Sequence, residues 1–177
     1  MRYEFKVKIR DIQPPVWRLI QVPSHVSLKK MHIILQTTMG WTNSHLHIFL
    51  VNGKKYGEPG PDWGFEILDE SKITLEEIYA GENNSLIYEY DMGDYWVHEI
   101  ELTKEIDGEY SRAVCISGER ACPPEDCGGT SGYEALVEAV SDPGHEEHES
   151  ILEWLGGDSD PEEFDAAAVD MALKGLR

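Results

Sequence analysis

Arg112-Ala-Val-Cys-Ile-Ser-Gly-Glu-Arg-Ala-Cys-Pro-Pro-Glu-Asp-Cys-Gly-Gly-Thr-Ser-Gly-Tyr133 is the stretch on which the fold turns. All three cysteines (Cys115, Cys122 and Cys127) lie in it, with two consecutive prolines and four of the 16 glycines. Pro123 and Pro124 fix φ and remove two backbone donors. Gly128 and Gly129 permit backbone shapes closed to other residues. The composition predicts a rigid, irregular loop over residues 118–132 that carries Glu125, Asp126 and the thiols. It also divides the chain, because the patterns before it read mainly as strands and those after it as helices. That order argues for an α+β fold.

Upstream, Tyr3, Phe5, Val7 and Ile9 alternate with Glu4, Lys6, Lys8 and Arg10, the pattern of a half-buried strand. Residues 16–22 form a second strand, with Val16, Arg18, Ile20 and Val22 on one side, and Asp11 to Pro15 turns the chain between them. Ser27 is placed to cap a helix that runs to Met39, with Leu28, Met31, Leu35 and Met39 in one stripe and Gly40 ending it. His32 lies beside that stripe, where a structural histidine is the expected role. Leu46 to Val51 reads as a strand closed by the turn signal Asn52-Gly53, followed by a loop over residues 57–64. Thr74 and Glu77 have capping-box spacing for a short helix ending near Gly81. Residues 86–91 and 97–103 form a second hairpin, with His98, Ile100 and Leu102 on its apolar face.

Downstream, Tyr133, Leu136, Val137 and Val140 follow helical spacing up to Asp142-Pro143-Gly144. A second helix begins near His145 and stops at Gly156-Gly157, and a third is expected from Asp160 as cap and Pro161 at its first position, with Phe164, Ala168 and Met171 as its stripe. The expected architecture is one α+β domain over residues 1–177: strand-rich to 117, the cysteine and proline loop at 118–132, helical from 133. Its mixed or antiparallel sheet comes from two hairpins plus a strand. The sheet packs with an N-terminal helix and a C-terminal group of helices.

Charge bounds the partners. The net charge is −19, unevenly spread. Residues 1–60 hold nine Lys and Arg against three Asp and Glu, and residues 61–177 hold six against 31. The last two-thirds is therefore a poor nucleic-acid surface, and only the basic first third offers one. The uncharged run from Met31 to Gly53 contains three histidines and two asparagines, so it fails as a membrane span. With no secretory signal expected and an odd number of cysteines, free thiols or metal ligands in a reducing cytoplasm are the expectation.

Zinc is the candidate cofactor. Thiolates and imidazoles are its usual ligands, and a structural site wants four. Cys115, Cys122 and Cys127 supply three, and His145 or His148 the fourth, though Cys-x6-Cys-x4-Cys is not a knuckle spacing. An alternative set is His45, His47, Asp91, Asp94 and His98, with Glu125 or Asp126 as general base. His98, Glu125 and Asp126 are the catalytic candidates. No Gly-x-Ser-x-Gly elbow, phosphate loop or His-Glu-x-x-His pattern is present.

Five ordered segments carry a resemblance: Pro14 to Arg18; Met39 to His47; Tyr90-Asp-Met-Gly-Asp-Tyr-Trp-Val-His98; Ala121 to Gly129 with Gly132-Tyr133; and His145 to Gly157. Together they resemble the plasmid open-reading-frame-three-like family of the pRiA type, over nearly the whole chain. Met92 stands where that family usually has Phe. The resemblance implies a single α+β domain associated with mobile elements and supplies no catalytic residues. Some members carry a resolvase label, but this chain lacks a resolvase-like serine motif and a basic recognition helix. Three functions follow for test. The first is a non-enzymatic cytoplasmic protein-interaction module with a structural metal. The second is a metal-dependent hydrolase, and the third a DNA-associated accessory protein of a transposon or plasmid.

Overall fold

The computed structural model describes residues 1–61, 63–80 and 85–176. Its first hairpin is β1 (Arg2–Ile9) paired antiparallel with β2 (Trp17–Pro23), in the register Phe5 to Ile20 and Val7 to Arg18. The alternation dictates which face is inward. Tyr3, Phe5, Val7 and Ile9 are buried, as are Val16, Arg18, Ile20 and Val22. Arg18 is the polar member of that set. It donates to the backbone carbonyls of Trp17, Thr38 and Glu119, and its guanidinium stacks 4.0 Å above the Phe164 ring.

Helix α1 (Leu28–Met39) starts where Ser27 accepts from the Lys30 amide and ends at left-handed Gly40. It lays Leu28, Met31, Ile34, Leu35 and Met39 on the sheet core. Each such side chain, fully buried, contributes about 1.5–3 kcal/mol. The hairpin β3 (His47–Val51) and β4 (Lys54–Gly57) follows, turned by Asn52 and Gly53, both at positive φ. Then come the short β5 (Leu68–Asp69), a 3-10 turn at Glu70–Lys72, and α2 (Leu75–Tyr79) with its Thr74–Glu77 capping box. The expected helix end at Gly81 lies outside the described residues. Strands β6 (Leu86–Tyr90) and β7 (Trp96–Ile106) form the second hairpin, and β8 (Val114–Glu119) pairs with β2.

The result is α+β, with an eight-stranded sheet in the order β5-β4-β3-β6-β7-β1-β2-β8, antiparallel except at β4–β5. Three C-terminal helices complete it: α3 (Gly129–Ser141), α4 (His148–Leu155) and α5 (Ala166–Lys174). Helix α5 packs on β8 and α1, while α3 packs on α4. None of the described helices is long and apolar enough to cross a membrane.

Three local expectations need correction. The loop expected over residues 118–132 is shorter at both ends, because β8 runs to Glu119 and α3 starts at Gly129. Helix α4 starts at His148 rather than His145. Helix α5 is capped by Asp165, whose side chain accepts from the amides of Ala167 and Ala168. Asp160 and Pro161 precede it in a loop, where the Pro161 carbonyl accepts from Ala121. Met171 accordingly stands 71% exposed, and Leu173 is the residue α5 buries.

Candidate metal centre

The site forms where the loop after α1 meets the loop after β6 and the cysteine and proline loop. Pairing of His47 with Tyr90 sets the first junction, and the Asp91 amide donates to the Leu46 carbonyl at 2.9 Å. That register sets His45 beside Asp91. Trp41 sets the second junction. Its ring stacks on Tyr90 at 4.8 Å, and its indole N–H donates to the Pro123 carbonyl at 2.9 Å. Glu125 fastens the loop further. Its Oε1 accepts from the Thr42 amide at 2.9 Å, the Thr42 hydroxyl at 3.2 Å and the Tyr90 hydroxyl at 3.1 Å. Burial, with the Glu125 carboxylate alongside, pushes that hydroxyl up to about 12, so it stays protonated and donates.

These ties leave one imidazole nitrogen facing three carboxylates. His45 Nε2 lies 3.2 Å from Asp126 Oδ1, 3.6 Å from Asp91 Oδ2 and 3.6 Å from Glu125 Oε2. It is buried, yet none of these approaches has hydrogen-bond geometry, so the nitrogen has no partner. Asp91 is itself buried and committed through its other oxygen, which accepts from the Gly93 amide at 2.8 Å. Asp91 and Asp126 both sit at left-handed φ (61° and 57°), where Asp is among the few side chains tolerated. Asp126 is 72% exposed and opens the site to solvent.

The spacing suits a cation. Two ligands each about 2.1 Å from one ion, at tetrahedral or octahedral angles, stand about 3.0–3.4 Å apart. Ligand atoms of His45, Asp91 and Asp126 all fall within 4.8 Å of one another, and no other group of three or more His, Cys, Asp or Glu does so among the described residues. One imidazole with two or three carboxylates is the donor set of a borderline-to-hard divalent ion such as Zn²⁺ or Mn²⁺.

The structure separates the other candidates. His47 Nε2 donates to buried Glu70 at 2.8 Å, and its ring stacks on His32 at 3.5 Å and 3°. Asp94 accepts from the Gly128 amide at 3.1 Å. His98 is fully buried against Trp41, its Nδ1 within 3.2 Å of the Tyr88 and Trp96 carbonyls. Burial holds its pKa down to about 4, so it is neutral. Glu125 and Asp126, the candidates for a general base, stand with His45 and Asp91.

The cysteine set does not assemble among the described residues. Cys115 is a core residue of β8, and Cys122 and Cys127 pack half-buried on the core. Burial pushes the Cys115 thiol up to about 11 and the Cys127 thiol up to about 12, and raises Cys122 as well. With no metal beside them these thiols are protonated. His145 accepts from the Glu147 amide, and His148 donates to the Ala139 carbonyl, so both histidines hold the α3–α4 connection. In the basic first third, Lys8 on β1 and Arg10 just after it face Glu99 at 4.0 and 3.0 Å.

Sequence reasoning missed Tyr90, Thr42 and Glu70. The first two position Glu125, and the third holds His47. A buried glutamate on a charged 3-10 turn gives no periodic signal.

Comparisons with known proteins agree with the fold. The sequence model described as plasmid pRiA4b ORF-3-like protein matches residues 1–170. The uncharacterized protein y4hQ of Sinorhizobium fredii is 34% identical over 169 residues, spanning 94% of this chain and 85% of that protein. The crystal structure of a protein of unknown function from Methanosarcina mazei Go1 is similar with a TM-score of 0.84 and 36% identity, over 94% of this chain and 96% of that one.

Proposed function

The chain belongs to the plasmid pRiA4b ORF-3-like family, and on that premise we propose that it is a divalent-metal-binding protein with the site of a metal-dependent hydrolase. One observation carries the reading: a buried imidazole nitrogen without a hydrogen-bond partner faces three carboxylates at ligand spacing. Packing alone does not favour that arrangement, because a buried acceptor or donor left unpaired costs about 1–3 kcal/mol. His45, Asp91 and Asp126 are the ligands. Glu125 is held mainly through Oε1, while its Oε2 accepts from the Tyr90 hydroxyl at 3.2 Å, stands 3.6 Å from His45 Nε2 and acts as the base. A divalent ion held here would lower the pKa of a bound water toward neutrality. Asp126, at the solvent side, leaves that water room to enter. We place the protein in the cytoplasm, as an accessory of a mobile element.

The test is titration of metal-stripped protein with Mn²⁺ and Zn²⁺ by calorimetry, for the wild type, His45→Ala and Asp91→Asn. About one ion per chain, lost in both variants while the circular dichroism is unchanged, is the expected result. Equal binding by wild type and variants overturns the site.

A second reading, contact with another protein, has one observation in its favour. Trp154 is 53% exposed beside Leu136 and Ile151 in a groove between α3 and α4. A photo-reactive residue at position 154 that cross-links nothing in cells removes it.

A further inference from the structure

A cavity of about 360 Å³ lies next to the metal centre, between α1, the 43–46 loop, His47, the 3-10 turn and the loop around Trp63. Its size is at the lower end of small-molecule sites. Its floor is two stacked imidazoles with different duties. His32 is closed into a ring of hydrogen bonds. The Gln36 amide donates to the Tyr88 hydroxyl (2.9 Å), Tyr88 donates to His32 Nδ1 (2.8 Å), His32 Nε2 donates to Asn43 Oδ1 (2.7 Å), and the Asn43 amide donates back to Gln36 Oε1 (2.8 Å). Every polar atom in that ring is used, so His32 serves as a flat support. His47 rests on it at 3.5 Å.

His47 has only one nitrogen committed. Its Nε2–H donates to Glu70, which is 2% exposed, so in the neutral ring Nδ1 is the acceptor. No hydrogen bond occupies Nδ1 among the described residues. A carboxylate held behind a histidine in this way orients the ring and strengthens its free nitrogen. A buried pair is a weak source of stability, so stability does not explain it. Opposite charges, Lys29 and Glu58, stand on the wall with the indole of Trp63.

We propose that this cavity binds a small zwitterion with an apolar side chain, of the size of a dipeptide. The carboxylate is drawn by Lys29 and the ammonium by Glu58. A peptide N–H donates to His47 Nδ1, and the side chain lies on Trp63. The proposal goes beyond the metal reading and stands without a metal, although His45 borders both sites.

The probe is the dipeptide Gly-Leu, with its N-acetylated and C-amidated forms, titrated into chelator-treated full-length protein and followed by amide chemical shifts. Gly-Leu is expected to bind with Kd near 1 mM or tighter, and each blocked form about tenfold more weakly. Lys29→Ala and Glu58→Gln, both at exposed positions, are expected to reproduce the effects of blocking the carboxylate and the ammonium respectively. His47→Phe is expected to abolish binding, with its fold checked by the same spectra. No shifts with any form up to about 10 mM, or equal binding by free and blocked forms, overturns the proposal. Metal analysis of His45→Ala is a separate readout, so failure of the metal reading and failure of this one are distinguishable.

Discussion

His32 and His45 lie 13 residues apart in an uncharged run, yet the fold treats them oppositely. His32 has both nitrogens paired inside a closed ring of neutral groups, and burial, with His47 beside it, holds its pKa down to about 4. His45 has a buried nitrogen with no partner and three carboxylates around it. The first arrangement is complete as folded. In the second, three carboxylates face one imidazole, and a cation joining them would relieve their mutual repulsion. A histidine is a structural residue or a ligand according to what its second nitrogen meets.

That contrast can be broken most strongly at the imidazole stacked on His32. Glu70→Ala leaves the buried His47 N–H unpaired and is expected to cost about 1–3 kcal/mol in urea unfolding. A cost well under about 1 kcal/mol would show that Glu70 does not hold the His47 ring. The open cluster responds to metal instead. Mn²⁺ or Zn²⁺ at 100 times its Kd is expected to raise unfolding stability by about 2.7 kcal/mol, and the gain should vanish in Asp91→Asn.

Protons sharpen the comparison next. The folded pKa values of His32 and His98 lie below the ordinary value, so the unfolded chain binds more protons between about 6.5 and 4. Their contribution is fully present above pH 6.5 and is lost as pH falls toward 4. A decline of about 1.5 kcal/mol for each histidine between pH 6.5 and 5, above most carboxylate titration, is expected from chemical unfolding at fixed ionic strength. A flat profile there contradicts the buried, neutral assignment. The smallest effect is at the rim. Asp126→Asn in metal-free protein is expected to change stability by no more than about 0.5 kcal/mol, in the stabilising direction, because it removes one like charge. The same variant should weaken metal binding in calorimetry.

Much of the fold was legible because its signals are local. The alternation of β1 follows from the two-residue period, and Ser27, Gly40 and the Thr74–Glu77 box are chemical marks of helix ends. Strands β4 and β5 were not legible, since Lys54 is exposed, Lys55 is only half-buried and the β4–β5 pairing is made across an intervening loop. Asp160-Pro161 carries the stronger start signal for α5, but the Pro161 carbonyl is used by Ala121, and Asp165 caps instead. Each member of the metal cluster was named from sequence, though in different sets. What joins them is the register of β3 on β6 and two ties from residues 41 and 42 to residues 123 and 125. Such ties span about 80 positions and leave no periodic trace.

The two outer strands of the sheet differ in how little they offer a newcomer. At one border β5 is two residues long, too short to template a pairing strand. At the other, β8 is packed by α5, whose position is fixed by Asp165 and by the Arg112–Asp170 ion pair. A chain with eight strands in one sheet therefore closes its own polymerisation routes. Loosening α5, for example by Asp170→Ala, would leave the longer border more open to pairing with a strand of another copy.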